Sequence, residues 1–233
     1  MGSLLAVLLS ASMLLQAKAP AAAAPAAAHE HDRDRFKNPR DLAAYVAAQE
    51  EPARAAWQKP DKVLEALHVR AGETVCDIGA GPGYFSLRLA RLVGPAGRVY
   101  AVDVEPRILD ALRERLEKRQ VENVTPVLGS AGDPWLPPAA CDLILIVDTY
   151  HHFPDRPAYL RRLVRLLKPE GRLANVDFHK RATPIGPPLD HRVSREEFLR
   201  DADAAGLMVV EEPTFLENQY FVVLRPRALG RRR

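Results

Sequence analysis

The stretch Asp77-Ile78-Gly79-Ala80-Gly81-Pro82-Gly83 sets three glycines and one carboxylate directly after an apolar run. A ligand approaching the carboxyl edge of an α/β sheet meets bare backbone there only where side chains are withdrawn. Gly79, Gly81 and Gly83 withdraw them and permit positive φ angles, and a helix that follows turns its N-terminal amides toward the ligand. Dinucleotide-binding loops space their glycines G-x-G-x-x-G, whereas position 84 here is Tyr and the pattern is G-x-G-x-G. Asp77, two residues ahead of the first glycine, would repel a pyrophosphate and attract a cation, which disfavours a nicotinamide cofactor. A second carboxylate, Asp103, closes the run Val99-Tyr100-Ala101-Val102. It can accept hydrogen bonds from both hydroxyls of a ribose or cap the helix starting near Pro106, and the two roles are compatible. A third group, Asp148-Thr149-Tyr150-His151-His152, offers a carboxylate, a phenol and two imidazoles. His151 is the candidate general base or substrate orienter, with Tyr150 beside it, while His152 and Asp148 could lock the loop. The competing reading is a structural turn whose histidines are capped by neighbouring backbone. His179, Lys180, His191 and Arg192 could also face such a pocket.

These groups need strands and helices to carry them, and the hydrophobic periodicity supplies both. Residues 41–51 and 52–57 read as one or two amphipathic helices, and a short helix follows Pro60. Strands are expected at 74–78, 98–102, 124–128, 142–147 and 172–178, with helices over 84–93, 106–118 and 157–167 between them. The unbroken apolar run of the fourth strand implies burial on both faces. Lys168-Pro169-Glu170-Gly171 is expected to stop a helix and turn the chain. Ser194 with Glu197 three positions on marks a capping box for a helix over 194–205. Strands at 207–211 and 220–224 then form an antiparallel hairpin. Alternation of this kind specifies a doubly wound α/β fold: a seven-stranded, mostly parallel sheet with helices on both faces.

The G-x-G-x-G loop with its preceding acid resembles the class I S-adenosylmethionine-dependent methyltransferases, a Rossmann-like fold. So do the acid at 103, the run from Cys141 to Phe153, and Leu167-Lys168-Pro169-Glu170-Gly171-Arg172-Leu173. The likeness covers roughly residues 57–225 and is nearest to the small-molecule group containing the quinone-biosynthesis methyltransferases. It implies S-adenosylmethionine as cofactor, with Asp77 holding the methionine amino group, the Gly79-Ala80-Gly81 backbone beneath it, and Gly83 closing the loop. It also implies Asp103 on the ribose, Val104 under the adenine and Asp148 beside the methyl end. Relatives often place an acid after the third strand against the adenine amine. Here the loop from Gly129 to Pro137 carries only Asp133, one place late, so that contact is open between Ser130, Ala131 and Asp133. The N-terminal helices around Tyr45 and Trp57 are expected to form a lid, or else simply to pack on the sheet. The expected activity is methyl transfer to a small-molecule or lipid-like acceptor. A catalytically inactive S-adenosylmethionine-binding regulatory module is the alternative, and an NAD-dependent oxidoreductase stands behind both.

The chain divides into a leader at 1–28, a polar linker with lid helices at 29–60, the methyltransferase domain at 61–228 and a basic tail at 229–233. Leu4 to Leu15 is almost wholly apolar, and Ala17-Lys18-Ala19 and Ala26-Ala27-Ala28 fit small-x-small cleavage sites, so the leader resembles a secretory signal. It is too short to span a bilayer and lacks a preceding Lys or Arg. If it is native, the protein is exported or associates peripherally with a membrane. If it stems from a mis-assigned start, the protein is cytoplasmic, where S-adenosylmethionine is made. The formal charge of +3 is no greater than the terminal Arg231-Arg232-Arg233, and no basic stripe interleaves with aromatics, which argues against a nucleic-acid partner. His29 and His31 lie in a solvated charge run, and no metal site is expected. Cys76 and Cys141 lie in apolar runs and are expected to be buried thiols acting as small hydrophobes. A disulfide framework or a zinc site would need more ligands at closer spacing.

Overall fold

The computed structural model describes residues 42–227, so the leader, the charge run with its histidines and the basic tail lie outside the described residues. Three short helices come first: α1 (Leu42–Glu50), α2 (Pro52–Gln58) and α3 (Pro60–Ala66). Prolines open α2 and α3, where the missing amide costs nothing. The chain then runs β1 (Thr74–Ile78), α4 (Ser86–Val93), β2 (Arg98–Asp103), α5 (Pro106–Lys118), β3 (Val124–Leu128) and β4 (Cys141–Val147). It ends with α6 (Arg156–Leu166), β5 (Leu167–Phe178), α7 (Arg195–Ala204), β6 (Leu207–Glu211) and β7 (Gln219–Pro226).

The seven strands form one sheet in the order β3-β2-β1-β4-β5-β7-β6. The first five are parallel, and β7 pairs antiparallel with both β5 and β6. Connections leave β1 toward β2 on one side, and the chain returns from β3 to β4 on the other. The crevice between the carboxyl ends of β1 and β4 is therefore the switch point at which such sheets bind ligands. Leu143, Ile144, Leu145 and Ile146 of β4 are wholly buried, each worth about 1.5–3 kcal/mol of apolar burial. Leu143 and Leu145 pack with α3, α4 and α5 on one face, and Ile144 and Ile146 with α6 and α7 on the other.

Three expectations are corrected. α4 starts at Ser86, because the turn that carries the glycines runs on through Phe85. No turn separates α6 from the fifth strand: Leu167 already pairs with Cys141, and the register shift between Cys141 and Leu143 absorbs the extra residues. Third, Cys76 and Cys141 are not free thiols but a disulfide, with Cα atoms 6.0 Å apart. They are 65 residues apart in sequence, yet β1 and β4 are sheet neighbours, and periodicity says nothing about which strands lie side by side. The Ser194/Glu197 capping box is present in full.

Candidate active site

β1 delivers Asp77 to the switch point, where its buried carboxylate accepts a 2.6 Å hydrogen bond from Ser86 Oγ. The chain turns at once: the amides of Gly79 and Ala80 donate to Val102 O at 2.8 and 2.9 Å, tying the glycine loop to β2. Gly79 has φ +75°, and a Cβ there would collide with the Thr149 side chain. Gly83 has φ +87°, and a Cβ there would meet Leu112 of α5. Gly83 is thus a packing glycine, and it does not line the cavity.

Asp103 ends β2 and organises the loop from the other side. Its Oδ2 accepts from the Gly81 amide at 2.9 Å and its Oδ1 from the Glu105 amide at 3.0 Å. The cap of α5 is Glu105, whose carboxylate accepts from the Arg107 amide. β4 delivers Asp148, a non-glycine residue at φ +51°, a conformation that costs energy and is tolerated at functional sites. Asp148 Oδ1 accepts from Gln219 Nε2 at 2.5 Å, and Gln219 Oε1 accepts from Gln58 Nε2 at 2.8 Å, which ties α2 to the site.

Two adjoining chambers occupy the crevice. One, of about 300 Å³, is lined by Asp103, Val104, Ile108, Ser130, Ala131, His152 and Tyr159. The other, of about 270 Å³, is lined by Asp77, Ala80, Gly81, Arg54, Tyr84, Trp57, Phe178 and Gly186. Tyr45, Gly79, Asp148 and Thr149 line both. The adenine-side question therefore narrows to Ser130 and Ala131. Asp133 turns outward to Arg162 at 3.1 Å and to the Trp135 amide, and does not reach the cavity.

Three buried carboxylates dominate the electrostatics of the crevice, with Arg54 beside two of them. Burial pushes Asp77 up to about 6, offset in part by the Ser86 hydrogen bond. Burial and the neighbouring Asp177 push Asp148 up to about 7, against the pull of Arg54 and His151. Asp103 is also raised by burial, though backbone amides counter it. Three carboxylates that resist ionisation would each gain from a positive ligand beside them.

The 3₁₀ turn Tyr150–His152 splits its side chains three ways. Tyr150 is wholly buried, packs edge-on against Phe198 at 4.8 Å and donates to Asp201 at 2.7 Å. It belongs to the core under α7, so its reading as a reactive group does not fit its placement. His152 lines the chamber of about 300 Å³. His151 stands behind the wall, with Nδ1 3.0 Å from both carboxylate oxygens of the buried Asp177. Burial works against its cation, but the hydrogen bond and charge of Asp177 and the charge of Asp148 prevail, leaving its pKa above the ordinary 6.5.

Beyond the fifth strand, His191 is paired with Asp190 at the surface and Lys180 with Glu197, and neither lines the cavity. Arg192 is buried and donates to the carbonyls of Pro187, His179, Arg181 and Ile185 and to Thr183 Oγ1. It fixes the loop that brings Gly186 to the cavity. Tyr45, expected in the lid helices, lines both chambers, whereas Arg54, Tyr84 and Asp177 had no role assigned from the sequence. None of the three lies in a motif: Asp177 shares its strand with Lys168, Glu170, Arg172 and Asn175 and does not stand out there. Among the described residues there is no cluster of metal-ligating side chains, and no helix is long and apolar enough to cross a membrane.

A doubly wound sheet with a glycine loop at its switch point and acids at the ends of β1 and β2 defines the Rossmann-like methyltransferase class. A family model described as "Methyltransferase domain" matches residues 70–213, more than half of the chain, and the chain belongs to that S-adenosylmethionine-dependent family. A protein-L-isoaspartate O-methyltransferase of Aeropyrum pernix is 38% identical over 54% of this chain and 44% of its own length. The ubiquinone/menaquinone biosynthesis C-methyltransferase UbiE of Pasteurella multocida is 36% identical over 54% of this chain and 46% of its own. The chain thus spans about half the length of the curated relatives it matches. A solved methyltransferase of Aquifex aeolicus, described as SAM dependent, superposes with a TM-score of 0.74 at 28% identity, covering 79% of this chain and 97% of that one.

The residues present fit the family's cofactor, S-adenosylmethionine. Asp77 would hold the ammonium, Asp103 the ribose and the Gly79-Ala80-Gly81 backbone the chain between them, while Val104, Ile108 and Ala131 offer apolar contacts to a purine.

Proposed function

We propose that the protein transfers a methyl group from S-adenosylmethionine to a small-molecule or lipid-like acceptor. The observation that carries this reading is the methyl-side chamber. Trp57 of α2, Phe178 at the end of β5 and Gly186 of the Arg192-held loop close on Asp148 from different parts of the chain, leaving about 270 Å³. Asp77, Arg54 and Tyr84 line the part of it that would take the cofactor's amino-acid end, and the space left beside Trp57 and Phe178 suits a small body better than a folded protein surface. In this reading α1 and α2 form a lid over the cofactor.

When bound, S-adenosylmethionine supplies an already activated methyl group. The protein's task is to align the attacking atom and exclude water. Where the acceptor must lose a proton, His151 takes it. Asp177 fixes Nδ1, leaving Nε2 as the working nitrogen, and because His151 stands behind the wall the proton reaches it through one water. A base with its pKa above 6.5 predicts turnover that rises with pH through a titration above that value. His151→Ala should abolish this limb and lower turnover by about 100-fold or more, with S-adenosylhomocysteine affinity nearly unchanged. Equal loss of both would make His151 structural.

The acceptor class is tested with methyl-labelled S-adenosylmethionine and extracts separated by size. Label in low-molecular-weight quinols, phenols, amines or thiols supports the proposal. Label confined to protein or isoaspartyl peptide overturns it. Binding without label in any fraction would favour the regulatory module.

We further propose that the protein is exported to an oxidising compartment. The signal-like leader motivates this, and the Cys76–Cys141 disulfide supports it, since such bonds persist outside the reducing cytosol. Mass spectrometry of the protein from native cells should show a mature N-terminus after Ala19 or Ala28 and no reactive thiol. An intact Met1 with two alkylatable cysteines would defeat the proposal.

A further inference from the structure

Two hydrogen-bond donors in the wall of the methyl-side chamber have no acceptor. Among the described residues three buried side-chain polar atoms lack a partner, and two of them, Arg54 Nε and the Tyr84 hydroxyl, belong to residues lining this one chamber. A buried donor without an acceptor costs stability, and the chamber's ligand can supply what is missing. The geometry of Arg54 shows where. Its Nη1 is anchored on Gln49, through both the side-chain and backbone oxygens. Its guanidinium lies 4.1 Å from the centre of the Tyr84 ring, with Arg88 on the same ring at 4.0 Å. The remaining edge, Nε with Nη2, carries only long contacts: Gln58 Oε1 at 3.4 Å and Asp148 at 3.9 Å. That edge is the fork that receives a carboxylate through two parallel hydrogen bonds.

The chamber's own charges say which anion comes. Asp77 and Asp148 line it, and Arg54 is the one cation among its described lining residues. A simple anion would be repelled by the two acids, and a simple cation by Arg54. A zwitterion carrying an ammonium and a carboxylate on one carbon satisfies both. Resting on the assignment of this crevice to S-adenosylmethionine, we propose that Arg54 and Tyr84 bind the carboxylate of the cofactor's amino-acid end. Asp77 holds the ammonium, so the cofactor adds a second tie between α2 and the site to the one Gln58 makes. Arg54 sits on α2, four residues before Gln58, which already reaches the site through Gln219.

The test compares two ligands by calorimetry: S-adenosylhomocysteine, and methylthioadenosine, which keeps the adenosine and sulfur but lacks the amino-acid end. Arg54→Gln should weaken S-adenosylhomocysteine by about 10- to 100-fold and leave methylthioadenosine nearly unchanged. Tyr84→Phe, which keeps the ring beneath the guanidinium, should show the same selectivity with a smaller loss. Decarboxylated S-adenosylmethionine should bind the parent protein weakly and gain no further loss from Arg54→Gln. Equal loss of both nucleosides in the variants, or loss of neither, overturns the clamp. If the parent binds neither nucleoside, the cofactor assignment falls and the clamp with it.

Discussion

Asp77→Asn is expected to weaken S-adenosylhomocysteine binding by about 10- to 100-fold at pH 7.5, the cost of losing a charge-assisted partner for an ammonium. The pH dependence makes this more than a generic site mutation. In the free protein the Asp77 carboxyl titrates at about 6, because burial resists its ionisation. A cationic ligand favours the ionised form, so binding below pH 6 must first expel a proton. Affinity should therefore fall by up to about tenfold per unit as pH drops below 6. Asp148, at about 7, lines the same chamber and adds a limb closer to neutrality. In Asp77→Asn the limb near 6 should vanish while the one near 7 stays. Titrations at several pH values decide it, and a variant with the parent's profile would remove Asp77 from the ligand's reach. Folding gives an independent check. A carboxyl with a raised pKa holds its proton longer in the folded state, so stability falls as pH rises from the ordinary 3.8 through 6. Asparagine can still accept from Ser86 Oγ and escapes that fall, so the variant should unfold no more easily than the parent at pH 7.5.

What could be read from the chain beforehand was local chemistry. Asp77, the glycines and Asp103 announce themselves because strand end, turn and helix start are contiguous, and spacing alone fixes which backbone lies bare. The sheet was readable for the same reason, from alternating apolar runs. Three kinds of fact were not. Adjacent residues can face opposite ways: a 3₁₀ turn rotates about 120° per residue, so Tyr150 enters the core, His151 meets Asp177 and His152 reaches the cavity. Partners distant in sequence carry no joint signal. Gln58 and Gln219 are 161 residues apart, and each reads as an ordinary polar residue. The N-terminal helices carry no motif, so Arg54 could be recognised only once its unpaired edge was seen against Asp148 and the glycine loop.

Lateral strand order was the third kind, and it hid the disulfide, whose removal is expected to have the largest effect on stability. The bond closes 65 residues, spanning β1 through β4 with α4 and α5 between them. Cross-linking a loop of that length removes much of the freedom of the unfolded chain, and its loss should cost about 2–4 kcal/mol. Both sulfurs belong to residues with no exposed surface, so a reductant can reach them only when the sheet opens. Native protein should consequently resist dithiothreitol, whereas urea unfolding in its presence should show a lower midpoint. The slope should steepen as well, since an uncross-linked chain exposes more surface on unfolding. Cys76→Ala with Cys141→Ala should reproduce the lower midpoint without reductant. An unchanged midpoint, with two thiols counted in the unreduced unfolded protein, would show that the bond does not form. Cys76 immediately precedes Asp77, so the double variant also tests how the two are coupled. If the β1–β4 ladder alone holds the carboxylate, the folded variant should bind S-adenosylhomocysteine as the parent does and fail only at lower denaturant.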